Sequence, residues 1–255
     1  MPWNPQAYEA FADHRMRPAI DLLNRVSLDA PRRVVDLGCG SGGVTLLLAA
    51  RWPQAAIVAL DSSAEMLARA RARSAAIEWR QVDLAAWRTA EPFDLVFSNA
   101  ALHWLTDHAT LIPRLADAVA PGGVLAVQMP NNFSAPSHLL MHALALETPY
   151  RAHLDSVLRQ TPVLDAQSYH ALLAPHFGRI DLWSTEYLQV LQGENPVADW
   201  TRSTWLGGLL EALPEGLRGP FEAEYRHRVL QAYPKRDDGS TLFPFRRLFV
   251  VATTA

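Results

Sequence analysis

Two carboxylates and a run of glycines bound the chemistry of this chain. Asp36 closes the apolar run that begins at Val34, Gly38, Gly40 and Gly42 follow it, and Asp61 closes a second apolar run from Ala55 to Leu60. A strand that feeds a glycine turn and then the helical stretch Thr45 to Arg51 leaves backbone N–H groups bare at a helix N-terminus, where a ligand can come close. The spacing discriminates between ligands. A dinucleotide site starts its glycines directly after the strand and places an acid about 20 residues on for a ribose. Here Asp36 stands at the strand end, where it would repel a pyrophosphate, and Asp61 lies 21 positions after Gly40. An adenosine ligand without phosphates satisfies both facts. Gly38, Gly40 and Gly42 would pass under its amino-acid tail, Asp36 would lie near its ammonium directly or through water, and Asp61 would accept both ribose hydroxyls. S-adenosylmethionine has that make-up and is the expected cofactor.

Such a site needs a scaffold that holds strand ends and helix starts together, and the pattern along the chain supplies one. Strands alternate with helices as in a doubly wound, mostly parallel α/β sheet of the Rossmann-like kind. Strands are expected at 33–36, 56–60, 77–81, 93–99 and, after the Pro121-Gly-Gly turn, 124–128, with Ser62 or Ser63 capping the helix that carries Met66. Two late β patterns, 180–190 and 247–253, are expected to pair as an antiparallel edge. Residues 1–130 then read as a cofactor-binding core with an N-terminal lid, 131–175 and 191–243 as a helical substrate cap, and 176–190 and 244–255 as strands completing the core sheet. The cap is expected over the carboxyl ends of the strands, where open α/β sheets bind ligands.

Composition narrows the partners. The 255 residues can bury a full α/β core, and a formal charge of −3 gives no electrostatic reason to expect nucleic acid or an anionic membrane. The single Cys39 cannot form an internal disulfide, no apolar run approaches the ~18 residues of a membrane span, and the expected location is the cytoplasm. A monomer is favoured. His138 and His142 share a helix face but lack a third ligand in a recognisable place, so no metal is expected.

The remaining cofactor contacts follow from the topology. Asp83 and Leu84 end the third strand's segment, where a carboxylate can take the adenine amino group and a backbone N–H a ring nitrogen. Ser62 flanks Asp61, Met66 is placed to pack on the adenine face, and Asn99 ends the fourth strand at the pocket mouth. The following segment, Ala100 to Trp104, lacks the Pro-Pro-aromatic run with which amino-methylating nucleic-acid enzymes hold a flipped base.

The core resembles the class I S-adenosylmethionine-dependent methyltransferases, and the whole chain is similar to the trans-aconitate 2-methyltransferase family. The match runs from Trp3-Asn-Pro, Tyr8 and Arg15-Met-Arg-Pro18 through Asp36-Leu-Gly-Cys-Gly40, Asp61-Ser-Ser and Ala126-Val-Gln-Met-Pro130 to Pro244 and Arg247-Leu-Phe-Val-Val-Ala-Thr253. His103 stands where glutamine is usual and Asn131 where aspartate is common; both bear on the acceptor. The resemblance implies a seven-stranded sheet with a helical cap and methyl transfer to a carboxylate of a small polycarboxylate, giving a monomethyl ester and S-adenosylhomocysteine. A carboxylate with a pKa near ~4 is already ionised at neutral pH, so no general base is expected. Arginine forks suit carboxylates, making Arg15, Arg17, Arg246 and Arg247 the candidate clamps, with Tyr8, His103, Trp104, Gln128 and Asn132 adding hydrogen bonds or walls. Trp3 and Tyr8 are expected in the lid, Trp3 on the cofactor side. Other readings are a methyltransferase for a malonyl-thioester carboxylate or a quinone-type acceptor, and a noncatalytic sensor of an adenosyl ligand.

Overall fold

The computed structural model describes residues 12–158 and 163–255, with side chains from residue 16 onward in the first helix. Trp3 and Tyr8 lie outside the described residues. The strands are β1 (Arg33–Leu37), β2 (Ala56–Asp61), β3 (Glu78–Gln81), β4 (Phe93–Asn99), β5 (Val119–Pro130), β6 (Arg179–Leu191) and β7 (Thr241–Thr253). The helices are α1 (Ala12–Arg25), α2 (Gly43–Arg51), α3 (Ala64–Arg73), α4 (His108–Ala116), α5 (Pro136–Ala145), α6 (Arg151–Leu154), α7 (Ala166–Leu173), α8 (Pro196–Arg202), α9 (Trp205–Ala212) and α10 (Glu215–Ala232), with a 3-10 turn at Leu102–Trp104.

The strands form one seven-stranded sheet in the order β3-β2-β1-β4-β5-β7-β6. Val34, Val35 and Leu37 in β1, and Leu95, Val96 and Phe97 in β4, are each fully buried. Unbroken apolar runs of this kind mark strands covered on both faces, as parallel strands are. The first five strands are indeed parallel, and β7 runs antiparallel to β5. The order reverses between β1 and β4, and the crevice at such a switch point, at the carboxyl ends of the strands, is where this architecture binds ligands.

One local detail departs from the sequence pattern. β5 extends through Pro121-Gly-Gly, because Gly122 takes a φ of 71° and the register against β4 shifts near Phe93 instead of the chain turning away. The two late strands form the expected edge pair: β7 lies between β5 and the outermost strand β6, so hydrogen bonds hold it on both sides. Of the two candidate caps it is Ser63 that caps α3, its hydroxyl accepting the Met66 N–H at 3.2 Å.

The chain divides into two compact units. One is Met16–Pro130, Pro162–Thr185 and Arg247–Ala255, and contains β1 to β5 and α7; the other includes Asn131–Thr161 and Glu186–Arg246. α7 lies in the first of these units, its Tyr169 fully buried against His108 of α4. The second unit has its own core, in which Trp200, Phe221, Tyr225, Phe243 and Phe245 pack with Met141 and Leu144. Tyr225 places its hydroxyl within 3.0 Å of both the Thr201 hydroxyl and the Ser137 carbonyl, so its buried polar tip is satisfied. No helix among the described residues is long and apolar enough to cross a membrane.

Candidate active site

Asp36 is 2% exposed at the end of β1, and Thr45 in the first turn of α2 donates to its carboxylate at 2.6 Å. Burial raises the Asp36 carboxyl from its usual range to about 7; the Thr45 bond opposes the rise and the nearby Asp61 carboxylate adds to it. A buried carboxylate held by one neutral donor is half of a cation site, since an approaching ammonium would favour its charged form. The same two acids and burial push the Cys39 thiol far up, which leaves it unionised and unreactive.

The glycine turn is pinned from both sides. The N–H groups of Gly38 and Cys39 both donate to the Leu60 carbonyl, at 2.8 and 2.9 Å. Gly38 has a φ of 77°, and a Cβ there would lie 2.2 Å from the Cβ of Ala101, so β1 and the segment after β4 approach too closely for any side chain. Gly40, at φ 54°, is different: among the described residues a Cβ would meet only the Met66 methyl, at 3.4 Å. Asp61 is fixed by the Gly40 N–H on one oxygen and the Ser63 N–H on the other, both at 2.8 Å. Each oxygen keeps lone-pair capacity for a further donor, which fits a ribose diol. Met66 and Leu84 are each 9% exposed, and Leu84 lies 3.8 Å from the position of a Gly38 Cβ. Asp83 is exposed and caps a turn by accepting the Ala85 N–H at 2.9 Å; Arg114 clamps that turn through the Leu84 and Ala85 carbonyls. Ser62 is exposed and contributes its carbonyl, which accepts Gln81 Nε2 at 3.0 Å.

Beside this turn the sheet brings a polar row together. Asn99 of β4 sits in register with Gln128 of β5, and Gln128 accepts Nη1 of Arg247 of β7 at 3.3 Å. Gln128 is fully buried and Arg247 3% exposed. Among the described residues, Asn99 Oδ1 and Gln128 Nε2 are buried without a hydrogen-bond partner, an expensive condition unless a ligand completes them. Ala100, the next residue, holds a φ of 53°, and its N–H donates to the Gln128 carbonyl at 2.9 Å. A non-glycine residue in that region stores about 1–3 kcal/mol of strain, which recurs at functional sites. The 3-10 turn then presents His103, 5% exposed, with its ring 4.7 Å from that of Trp104.

The other sequence candidates are placed as follows. Arg17 is exposed on α1; Arg15 is on the same helix, its side chain outside the described set. In the second unit Asn132 accepts the Arg246 N–H at 3.2 Å and Asn131 donates to the Arg246 carbonyl at 2.9 Å, while the Arg246 side chain is exposed. Asn132 Nδ2 is buried without a partner among the described residues. His138 packs edge-on against Phe133 and Trp205, and burial lowers its pKa to about 4. Among the described residues no group of three His, Cys, Asp or Glu could hold a metal. Sequence reasoning missed Thr45, whose signal is one polar residue opening an otherwise apolar helix, and the buried His108–Tyr169 pair, which has no local signal because 61 residues separate its members.

Comparison with known proteins gives a consistent picture. A family model described as a methyltransferase domain matches residues 34–123. Trans-aconitate 2-methyltransferase of Azoarcus sp. (strain BH72) is 50% identical over 252 residues, covering 98% of each chain, and that of Methylobacterium nodulans is 46% identical over 251 residues, covering 98% of this chain and 97% of its own. Among solved structures, the YcgJ protein of Bacillus subtilis superposes with a TM-score of 0.62 over 93% of this chain and 98% of its own at 13% identity, which shows a shared fold. With that level of identity along nearly the whole of both chains, the protein belongs to the trans-aconitate 2-methyltransferase family of class I methyltransferases.

Proposed function

We propose that this protein transfers the methyl group of S-adenosylmethionine to a carboxylate of trans-aconitate, yielding the monomethyl ester and S-adenosylhomocysteine. S-adenosylmethionine, when bound, supplies a sulfonium methyl that an ionised oxygen can attack in line. Everything else falls to the chain. Asp36 takes the ammonium of the cofactor tail, Gly38 and Gly40 let that tail lie against backbone, and Asp61 holds the ribose. Asp83 and Leu84 meet the adenine edge, Met66 its face, and Ser62, Asn99 and Trp3 complete the cofactor side. The single close described neighbour of Gly40, the Met66 methyl, together with the pinned Asp61 and the buried Asp36, supports this assignment.

The acceptor reading rests above all on Arg247, a guanidinium 3% exposed and held by the neutral amide of Gln128 beside Asn99. A guanidinium presents a planar fork of donors, which suits a carboxylate taken bidentate. Tyr8, Arg15, Arg17, His103, Trp104, Asn132 and Arg246 are the further acceptor contacts of this proposal. Because the acceptor is already ionised, the residues orient oxygen toward methyl and exclude water; alignment of this kind can lower a barrier by about 7–11 kcal/mol. The division of labour goes with residues 1–130 as cofactor core and lid, 131–175 and 191–243 as substrate cap, and 176–190 and 244–255 as the strands that finish the sheet. A monomeric cytoplasmic enzyme fits a lone, buried, unpaired Cys39.

The test is methyl transfer from labelled S-adenosylmethionine to trans-aconitate, cis-aconitate, citrate and a malonyl thioester. A labelled ester formed fastest from trans-aconitate is expected. Turnover on the thioester alone, or on none of these acids, overturns the acceptor assignment.

A further inference from the structure

Two side chains that no step above uses form a buried hydrogen-bonded pair behind the acceptor turn. His108, 2% exposed at the start of α4, has its Nδ1 2.5 Å from the hydroxyl of Tyr169, which is fully buried on α7. The other ring nitrogen, Nε2, lies 3.0 Å from the Leu102 carbonyl. A carbonyl only accepts, so Nε2 carries the proton, Nδ1 is the acceptor and the tyrosine donates to it. The tyrosine oxygen in turn accepts the Leu164 N–H at 3.3 Å and touches the sulfur of Met129, the neighbour of Gln128, at 3.8 Å. Burial holds the imidazole below its ordinary pKa and the phenol above its own, so both keep these protonation states at neutral pH. The Leu102 carbonyl also closes the 3-10 turn by accepting the Leu105 N–H at 2.9 Å. The residue immediately after Leu102 is His103.

We infer that Tyr169 and His108 are positioning residues for the acceptor: through the Leu102 carbonyl they fix the turn that presents His103 and Trp104. The inference rests on the reading that this turn faces the acceptor. Neither residue touches a reacting atom. Their loss lets the turn wander, and since a displacement of ~1 Å can cost about two orders of magnitude, a change of roughly tenfold is the size to look for.

The experiment compares Tyr169→Phe, His108→Leu, His108→Gln and His103→Ala, reading KM for trans-aconitate, kcat, cofactor Kd and melting temperature. Tyr169→Phe and His108→Leu are expected to raise the acceptor KM roughly tenfold with cofactor Kd unchanged. His108→Gln is expected to recover most of the loss, because its amide can both donate to Leu102 and accept from Tyr169. A packing role alone predicts the reverse order, with leucine tolerated better than glutamine. That order overturns the inference, and this pair of variants decides it even if Tyr169→Phe fails to fold. Wild-type KM in Tyr169→Phe and His108→Leu, with a raised KM in His103→Ala, refutes the positioning role and leaves the acceptor reading standing. Unchanged KM in His103→Ala removes the reading of the turn itself, and the inference with it.

Discussion

The proposed cofactor side and the proposed acceptor side of this site are built in opposite ways. The first is made largely of backbone within one β-α-β stretch: the Gly38 to Gly40 turn, tied to Leu60 and to Asp61 through N–H groups. The second is made of side chains from strands distant in sequence, Gln128 and Arg247, joined only by sheet pairing. A ligand shared by a whole superfamily can be held by main chain, which any sequence with the right glycines provides. A particular acid needs side chains, and these must be delivered by long-range pairing.

The largest effect that would break this comparison is at Arg247. Arg247→Ala should lower kcat/KM for trans-aconitate by about 2–5 kcal/mol, roughly 30-fold to several-thousand-fold, while calorimetry finds the cofactor Kd unchanged. Arg247→Lys should regain only part, since a point charge does not reproduce the planar fork. Equal losses in cofactor and acceptor binding would erase the distinction between the two sides.

Asp61→Ala comes next and should do the converse, weakening cofactor binding by about 1.5–3 kcal/mol, tenfold to somewhat over a hundredfold. Because Asp61 also fixes the N–H groups of Gly40 and Ser63, the unliganded protein should melt at a lower temperature as well. Asn in place of Ala keeps one acceptor and should fall between. An unaltered Kd in Asp61→Ala would rule out the ribose assignment.

The smallest effect sharpens the comparison through pH. With Asp36 raised to about 7, the free protein holds a proton there that an incoming ammonium must displace. Cofactor affinity should therefore rise with pH up to about 7 and level off above it, falling by up to about tenfold per unit below. In the same window, from its usual 3.8 to about 7, the folded state binds more protons than the unfolded, so unliganded stability should decline as pH rises. Thr45→Val removes the bond that opposes the rise and should move the midpoint upward. Calorimetry in buffers of different ionisation enthalpy reads the released proton directly; no release would mean Asp36 does not meet the ammonium.

The same contrast explains what could be read from the sequence. The strand and glycine turn around Asp36, the 93–99 strand and the Asp61 position are local patterns of apolar runs and special backbone angles, and they appear in the fold where expected. The sequence marks Gln128 and Arg247 as candidates but not as partners, since 119 residues intervene and only the insertion of β7 between β5 and β6 joins them. Thr45 and the His108–Tyr169 pair are legible only once α2, α4 and α7 have been placed on the sheet. The length of β5 escaped for a smaller reason, a glycine that bulges a strand instead of ending it.

The interior place of β7 also bears on how this enzyme is made. During synthesis the cofactor turn leaves the ribosome early and can pack with β1, β2 and β4 from local sequence, whereas Arg247 is translated near the end and reaches Gln128 only when its strand is inserted between two others. A nascent chain cut short before that strand would carry a complete cofactor turn without the acceptor's arginine. If Arg247 holds the acceptor as proposed, competence for transfer is tied to the insertion of β7, and a copy lacking that strand is expected to be inert toward the acid instead of a slow or unselective methylating agent.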